Sequence, residues 1–478
     1  MGSYGTEDVK MKKLSRSNLS ATGLGLASLG GLMVSARAIA EEAQSAAPQI
    51  DTGDTAWVMM SAALVLLMTP GLAFFYGGMV RTKNVLSTLF QNFATLSVVG
   101  VLWCVVGYSL AFSGDIGGVI GNLGWFMLAG VGQAPNPDLA ATIPHLSFMM
   151  FQCMFAVITP ALITGALAER LNFKAWIAFA ALWTLIVYSP VAHWVWGLGG
   201  WIRNMGGMDF AGGLVVHITA GYAALVAALM LGKRRDFGVE TRPYDASFVM
   251  IGTALLWFGW FGFNAGSALG ANGLAAQAFT TTFLAAAAAS FAWAVVDTII
   301  KGKPSAVGGC IGAVVGLVVI TPAAGFVTAG SALIMGFLGG AICNYAAIVV
   351  KEKLHLDDTL DVFACHGLGG TIGSILTPVF ATSAVNSAGA DGLLAGNFAP
   401  LKANLIATGA VILYSSVATF IIIKGISMFT SFRVAEHEEE QGLDSTQHGE
   451  AINSNFAGDL GTADRALNHK SHKKNQAA

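Results

Sequence analysis

The chain has 478 residues, 55% of them hydrophobic and only 11% charged, whereas an ordinary globular protein carries about 25% charged residues. Residues 1–54 hold 11 charges and residues 430–478 hold 13, which leaves 28 across residues 55–429. So sparse a polar surface excludes a disordered middle and a water-soluble enzyme, and a net charge of −2 with no basic patch excludes a nucleic-acid binder.

Lys12, Lys13 and Arg16 form a basic start, residues 21–36 are mildly apolar, and Ala38-Ile39-Ala40 precedes Glu41-Glu42. This is the layout of a cleavable signal peptide over 1–40, too short and weak to span a bilayer stably. Residues 41–54 then form a lead-in outside the membrane, and 428–478 a polar tail.

Apolar runs of helical length predict eleven spans: 55–78, 87–112, 145–167, 174–196, 212–232, 246–270, 275–300, 305–324, 329–350, 360–381 and 402–427. With the N-terminus outside, the inner loops carry twelve basic residues: Arg81, Lys83, Arg170, Lys174, Lys233, Arg234, Arg235, Arg242, Lys301, Lys303, Lys351 and Lys353. The outer loops carry only Arg203 and Lys402. The positive-inside rule thus sets the orientation and puts the tail in the cytoplasm. Gly308, Gly312 and Gly316 form a small-residue face for close helix packing. The five cysteines, Cys104, Cys153, Cys310, Cys343 and Cys365, sit in apolar runs without CxxC or HExxH spacing, so neither metal nor cofactor is expected.

An internal echo links the fifth and tenth spans. Asp209 precedes His217 by eight residues, and Asp358 precedes His366 by eight. Phe75-Tyr-Gly-Gly78 with Asn84 matches Phe263-Asn-Ala-Gly266 with Asn272 in the first and sixth. Five spans separate each pair, so the two halves run with opposite topology: an inverted five-helix repeat plus one extra helix. Eight helical residues rise about 12 Å. Each histidine then lies near the middle of a core about 30 Å thick, reached from opposite sides. Intramembrane ionisable groups mark substrate or proton paths. A neutral pair in a tight apolar passage can share one hydrogen bond and still offer a donor and an acceptor. The two acids read either as helix N-caps or, for Asp209, as an outer carboxylate that helps hold a cation.

By the same orientation Phe151 and Phe155, Trp196, and Phe263 with Ser267 converge near the outer mouth. Aromatic faces with a hydroxyl form a cation-π site for a small monovalent cation.

The run from Asp209 to Arg234, with GLAFFYGGMVRTKN from Gly71, GALAER from Gly165, GWFGFNAGSA from Gly259 and DVFACHG around His366, closely resembles the ammonium transporter family (Amt/Mep/Rh), bacterial Amt branch. The resemblance covers about residues 51–450. It implies a homotrimer with one pore per subunit in a cell's inner membrane, serving nitrogen uptake. By motif position Trp196, Phe151, Phe155 and Ser267 resemble the outer ammonium site, and Phe155 and Phe263 the phenyl gate. His217 and His366 resemble the twin-histidine pore, Trp260 a further pore aromatic, and Asp209 the acid that organises the mouth. In the tail, Gly442, Asp444, His448, Gly449 and Glu450 match the segment that couples subunits and meets a PII-type signal protein. Ile452 lies where an aromatic often follows, and Thr359 replaces a common proline, which is expected to relax the start of the tenth span. The implied activity is movement of ammonium or its analogue methylammonium as recruited NH4+ that passes as NH3. An ammonium sensor acting through the tail and a PII-type partner is the alternative. The bacterial-type Trp196 and Ser267 argue against a Rh-like gas channel, and an intramembrane enzyme lacks a nucleophile–base or metal signature.

Overall fold

The computed structural model describes residues 49–239 and 243–452. The expected signal peptide, Arg242 and tail residues 453–478 lie outside the described residues. Eleven apolar helices follow in chain order: α1 (Thr52–Met79), α2 (Thr82–Phe112), α3 (His145–Leu167), α4 (Phe173–Asn204, interrupted at Gly197), α5 (Gly213–Leu231), α6 (Ala246–Gly266), α7 (Gly273–Lys301), α8 (Ala306–Ile320), α9 (Ala329–Lys353), α10 (Phe363–Phe380) and α11 (Ala399–Ser427). Ten are long and apolar enough to cross a membrane, and α8 is shorter. Its 15 residues rise about 22 Å. The chain turns at Thr321 instead of continuing to 324, and Thr321 goes on to serve the site.

The helix starts follow from polar caps. Asp51, Asn172, Asp245, Asn272, Ser305 and Thr328 each accept a backbone N–H from the first turn of their helix. The glycine face of α8 packs on α7, where a Cβ on Gly316 would come within 2.3 Å of the Ala285 carbonyl oxygen. The two halves of the repeat touch more closely still. A Cβ on Gly221 of α5 would lie 2.0 Å from the Gly367 nitrogen of α10, so these two helices meet backbone to backbone beside their histidines.

Between α2 and α3 two short antiparallel hairpins form, Asp115–Ile116 with Ile120–Gly121 and Pro135–Asn136 with Ala140–Pro144. The opposite end of the bundle is tied by ion pairs. Glu169 Oε2 accepts from Arg81 Nε and Arg234 Nη1, both at 2.9 Å, with Arg81 Nη2 in ion-pair contact at 2.6 Å, and Arg234 Nε reaches Asp357 at 3.0 Å. Buried Arg170 donates to the Asp357 carbonyl at 2.6 Å and to Thr359 Oγ1 at 2.7 Å. Thr359 does not loosen the start of α10. Its hydroxyl and N–H both donate to the Ala166 carbonyl, bonds that proline could not make.

The tail docks on this same end. A short helix α12 (Glu436–Gln441) precedes Gly442, whose N–H donates to the Glu438 carbonyl at 2.8 Å. Asp444 then caps α2: its carboxylate accepts from Ser87 N at 2.8 Å and Leu86 N at 3.1 Å, while Asn84 Oδ1 accepts from Leu443 N at 2.9 Å. His448 sits edge-on to Phe90 and Phe173, 5.3 and 4.8 Å away. The Glu450 N–H donates to the Asp444 carbonyl at 3.2 Å, and Gly449 takes the left-handed conformation that ends the turn. Ile452 packs with Val80, Val85 and Ala168.

Candidate functional site

α5 and α10 do not begin as ordinary α-helices. Residues Gly213–Ile218 and Phe363–Leu368 are wound as wider π turns, and the His217 N–H donates to the Gly212 carbonyl five residues back at 3.0 Å. Such turns re-aim the side chains they carry and occur often at functional sites. The acid eight residues before each histidine holds its turn. Asp209 accepts from the N–H groups of Gly212, Gly213, Leu214 and Val215 at 2.8, 2.7, 2.7 and 3.2 Å. Asp358 accepts from Val362 and Phe363 at 3.0 and 2.7 Å. Four donors fill the roughly four lone-pair sites of a carboxylate. Asp209 is therefore a cap rather than a direct ligand, and its tie to the vestibule runs through its carbonyl, which accepts from Trp196 Nε1 at 3.0 Å.

The re-aimed imidazoles meet. His217 Nδ1 and His366 Nδ1 are 3.2 Å apart, with ring centroids at 5.3 Å. Trp260 lies nearly parallel to His217 at 5.5 Å and is fixed by donation from its Nε1 to Thr321 Oγ1 at 2.9 Å. These three rings and Phe263 line a slot whose other walls are aliphatic or thioether side chains, among them Leu72, Ile158 and Val314. The slot leaves about 10 Å³, the threshold for one water-sized molecule. His217 Nε2 is buried there without a protein partner, a costly arrangement unless a small polar species supplies the bond.

At the hairpin end the slot is closed by Phe155 and Phe263, stacked with centroids 4.1 Å apart. Beyond them opens a vestibule of about 260 Å³ lined by Phe148, Gln152, Phe155, Trp196, Arg203 and Ser267 among others. Phe155 stands edge-on to Trp196 at 5.9 Å. Phe151 does not line the vestibule; its buried ring backs Phe155 edge-on at 4.9 Å. Ser267 Oγ donates to the Phe263 carbonyl at 2.8 Å, which leaves its oxygen lone pairs free to accept.

Sequence reasoning missed three participants. Gln152 is 8% exposed, lines the vestibule and keeps Oε1 unpartnered; a lone amide in the apolar run of α3 was the available signal. Thr321 positions Trp260, and Arg203 stands at the mouth; nothing local in the sequence marks either.

The Ammonium Transporter Family model matches residues 56–452. An ammonium transporter of Bacillus subtilis (strain 168) is 51% identical over 398 residues, covering 83% of this chain and 98% of that protein. The ammonium transporter Amt1 of Archaeoglobus fulgidus is 45% identical over 399 residues, with 83% and 98% covered. The crystal structure of Saccharomyces cerevisiae Mep2 superposes with a TM-score of 0.76 at 37% identity, covering 81% of this chain and 88% of that one. A sensor Amt protein superposes with the same TM-score at 28% identity, with 83% and 98% covered. With its apolar helices, its inverted pair of capped π turns and these relatives, the chain is a multi-pass membrane protein that belongs to the ammonium transporter family.

Proposed function

We propose that the protein conducts ammonium by stripping the cation of its proton at the mouth and passing ammonia along the histidine slot. The observation that carries this reading is the narrow aliphatic slot with two hydrogen-bonded imidazoles as its polar lining. An ammonium ion enters the vestibule from outside and is held by the Trp196 and Phe155 rings and by Ser267 Oγ as acceptor. Moving that cation bare through the slot would cost on the order of tens of kcal/mol. Release of one proton to vestibule water removes the charge. Neutral NH3 then passes when the Phe155 and Phe263 rings swing aside. In either tautomer the shared Nδ1–Nδ1 proton leaves the His217 and His366 pair one N–H donor and one lone pair for it. Inside, NH3 takes up a proton again. Potassium has no proton to lose and makes no hydrogen bonds as a donor, so the same slot rejects it.

The basic loops and the docked tail share one end, which supports a cytoplasmic tail, an N-terminus outside after signal cleavage, and a cell inner membrane. Family resemblance supports a homotrimer and a PII-type protein meeting Gly442, Asp444, His448, Gly449 and Glu450. The second reading is a sensor, favoured by the likeness to the sensor Amt protein. Methylammonium and ammonium uptake into proteoliposomes, with and without charge compensation, tests both. Saturable uptake supports conduction, and its dependence on compensation reports whether the proton crosses separately. Ligand binding without flux selects the sensor.

A further inference from the structure

The vestibule carries one formal charge among its lining residues, and that charge has the wrong sign for a cation site. Arg203 sits on the short helical segment Trp201–Asn204 after Gly197 and lines the vestibule with Trp196, Phe155 and Ser267. Its Nη1 donates to the Trp196 carbonyl at 2.6 Å, and it is exposed. Among the described residues no carboxylate pairs with it: Asp209, six residues on, accepts from four backbone N–H groups, and Asp115, which packs beside Gly199, pairs with His193 at 2.8 Å. The backbone bond ties the guanidinium to the Trp196 main chain at the rim of the vestibule.

We propose that Arg203 sets the apparent affinity of the mouth: its positive charge, held in no ion pair among the described residues, repels ammonium from the Trp196–Ser267 site and makes recruitment dependent on ionic strength. A guanidinium is a permanent cation. Two like charges within about 10 Å across a wet, partly apolar cleft repel enough to change occupancy several-fold, and salt screens this over a Debye length of about 10 Å at 0.1 M. The effect falls on capture, because passage beyond the phenyl pair is as neutral ammonia.

This inference rests on the conduction reading, and the test separates the two. Methylammonium uptake kinetics are measured in proteoliposomes for the full chain and for Arg203→Gln, Arg203→Lys and Arg203→Glu, at low and high salt. Arg203→Gln retains a donor for the Trp196 carbonyl without the charge. It should lower KM by roughly two- to tenfold at low salt, with a much smaller change in kcat, and the difference should shrink at about 0.5 M salt. Arg203→Glu should lower KM further, and Arg203→Lys should stay near the parent. An unchanged KM in Arg203→Gln at low salt, or equal shifts in the Gln and Lys variants, overturns the proposal and leaves Arg203 as a clamp on Trp196. Well-folded parent protein without flux overturns the conduction reading instead.

Discussion

His217 Nδ1 lies 3.2 Å from His366 Nδ1, across the contact where α5 and α10 meet backbone to backbone. At that distance one nitrogen must donate and the other accept, so the pair holds a single shared proton in its neutral form. Replacing either ring breaks both halves of the arrangement. His217→Ala should widen the slot and lower ammonium flux while admitting water, and His366→Glu should place an acid where a cation can bind and so weaken potassium exclusion. Electrical recordings on supported membranes with ammonium and with potassium check this. Unchanged ammonium currents and intact potassium exclusion in both variants would falsify the assignment of the pair as pore lining.

The Asp209 carboxylate gathers four N–H groups of the π turn that carries His217. Asp209→Asn exchanges one acceptor oxygen for an amide group facing N–H donors. Hydrogen bonds to charged groups contribute about 1.5–3 kcal/mol each, so a loss of about 2–4 kcal/mol is expected. It should show as a lower melting temperature in detergent together with lost uptake. Uptake lost at an unaltered melting temperature would point to a direct role on the cation.

Glu169 is bridged by Arg81 and Arg234. Burial alone would raise its carboxyl, but the hydrogen bond from Arg81 and the charges of Arg234 and Arg81 outweigh this and hold it at about 2. The folded value lies below the ordinary carboxylate value of about 4.3, so the stabilisation is complete above that value and is lost as pH falls through about 2. It amounts to about 3 kcal/mol. Glu169→Gln should lower stability at neutral pH and flatten the acid limb of a melting-temperature profile between those values. Parallel acid limbs in parent and variant would show that other carboxylates govern it.

Asp444 in the tail caps α2 from 357 residues away, in place of a cap by the neighbouring Asn84. Asp444→Ala should cost about 1 kcal/mol at the α2 start and undock the tail. Hydrogen exchange at Leu86 and Ser87 should rise, and limited proteolysis should cut sooner between Phe432 and Gly449. Retained protection at both amides would contradict the capping role. His448 provides a pH handle on the same contact: burial lowers its proton affinity, with Glu450 opposing. Its neutral form is favoured in the docked state, so acidification from above about 6.5 should weaken docking as the imidazole protonates.

Ten of the eleven spans were legible because each apolar run exceeds the bilayer core, and the boundaries of α3 coincide with the structure. The end of α8 was not, because the apolar run continues past Ile320 while the helix stops. Hydropathy registers composition, not the turn at Thr321. The histidine pair was legible from the repeated Asp-x7-His spacing, since period and topology together fix depth. That arithmetic assumed ordinary α-helix, whereas Gly213–Ile218 and Phe363–Leu368 are wound as π turns that re-aim the side chains.

Composition and repeat by themselves determined a polytopic helical membrane protein with an inverted duplication and paired central histidines, because burial in lipid forces helices and equal spacing forces equal depth. Only the tertiary structure decided that Asp209 is spent on backbone N–H groups, that Phe151 stands behind Phe155, that Gln152 and Arg203 face the vestibule, and that Asp444 closes a helix in the other part of the chain. Those outcomes depend on which polar groups find partners first. Sequence spacing cannot express that competition, since the competing groups lie on different helices.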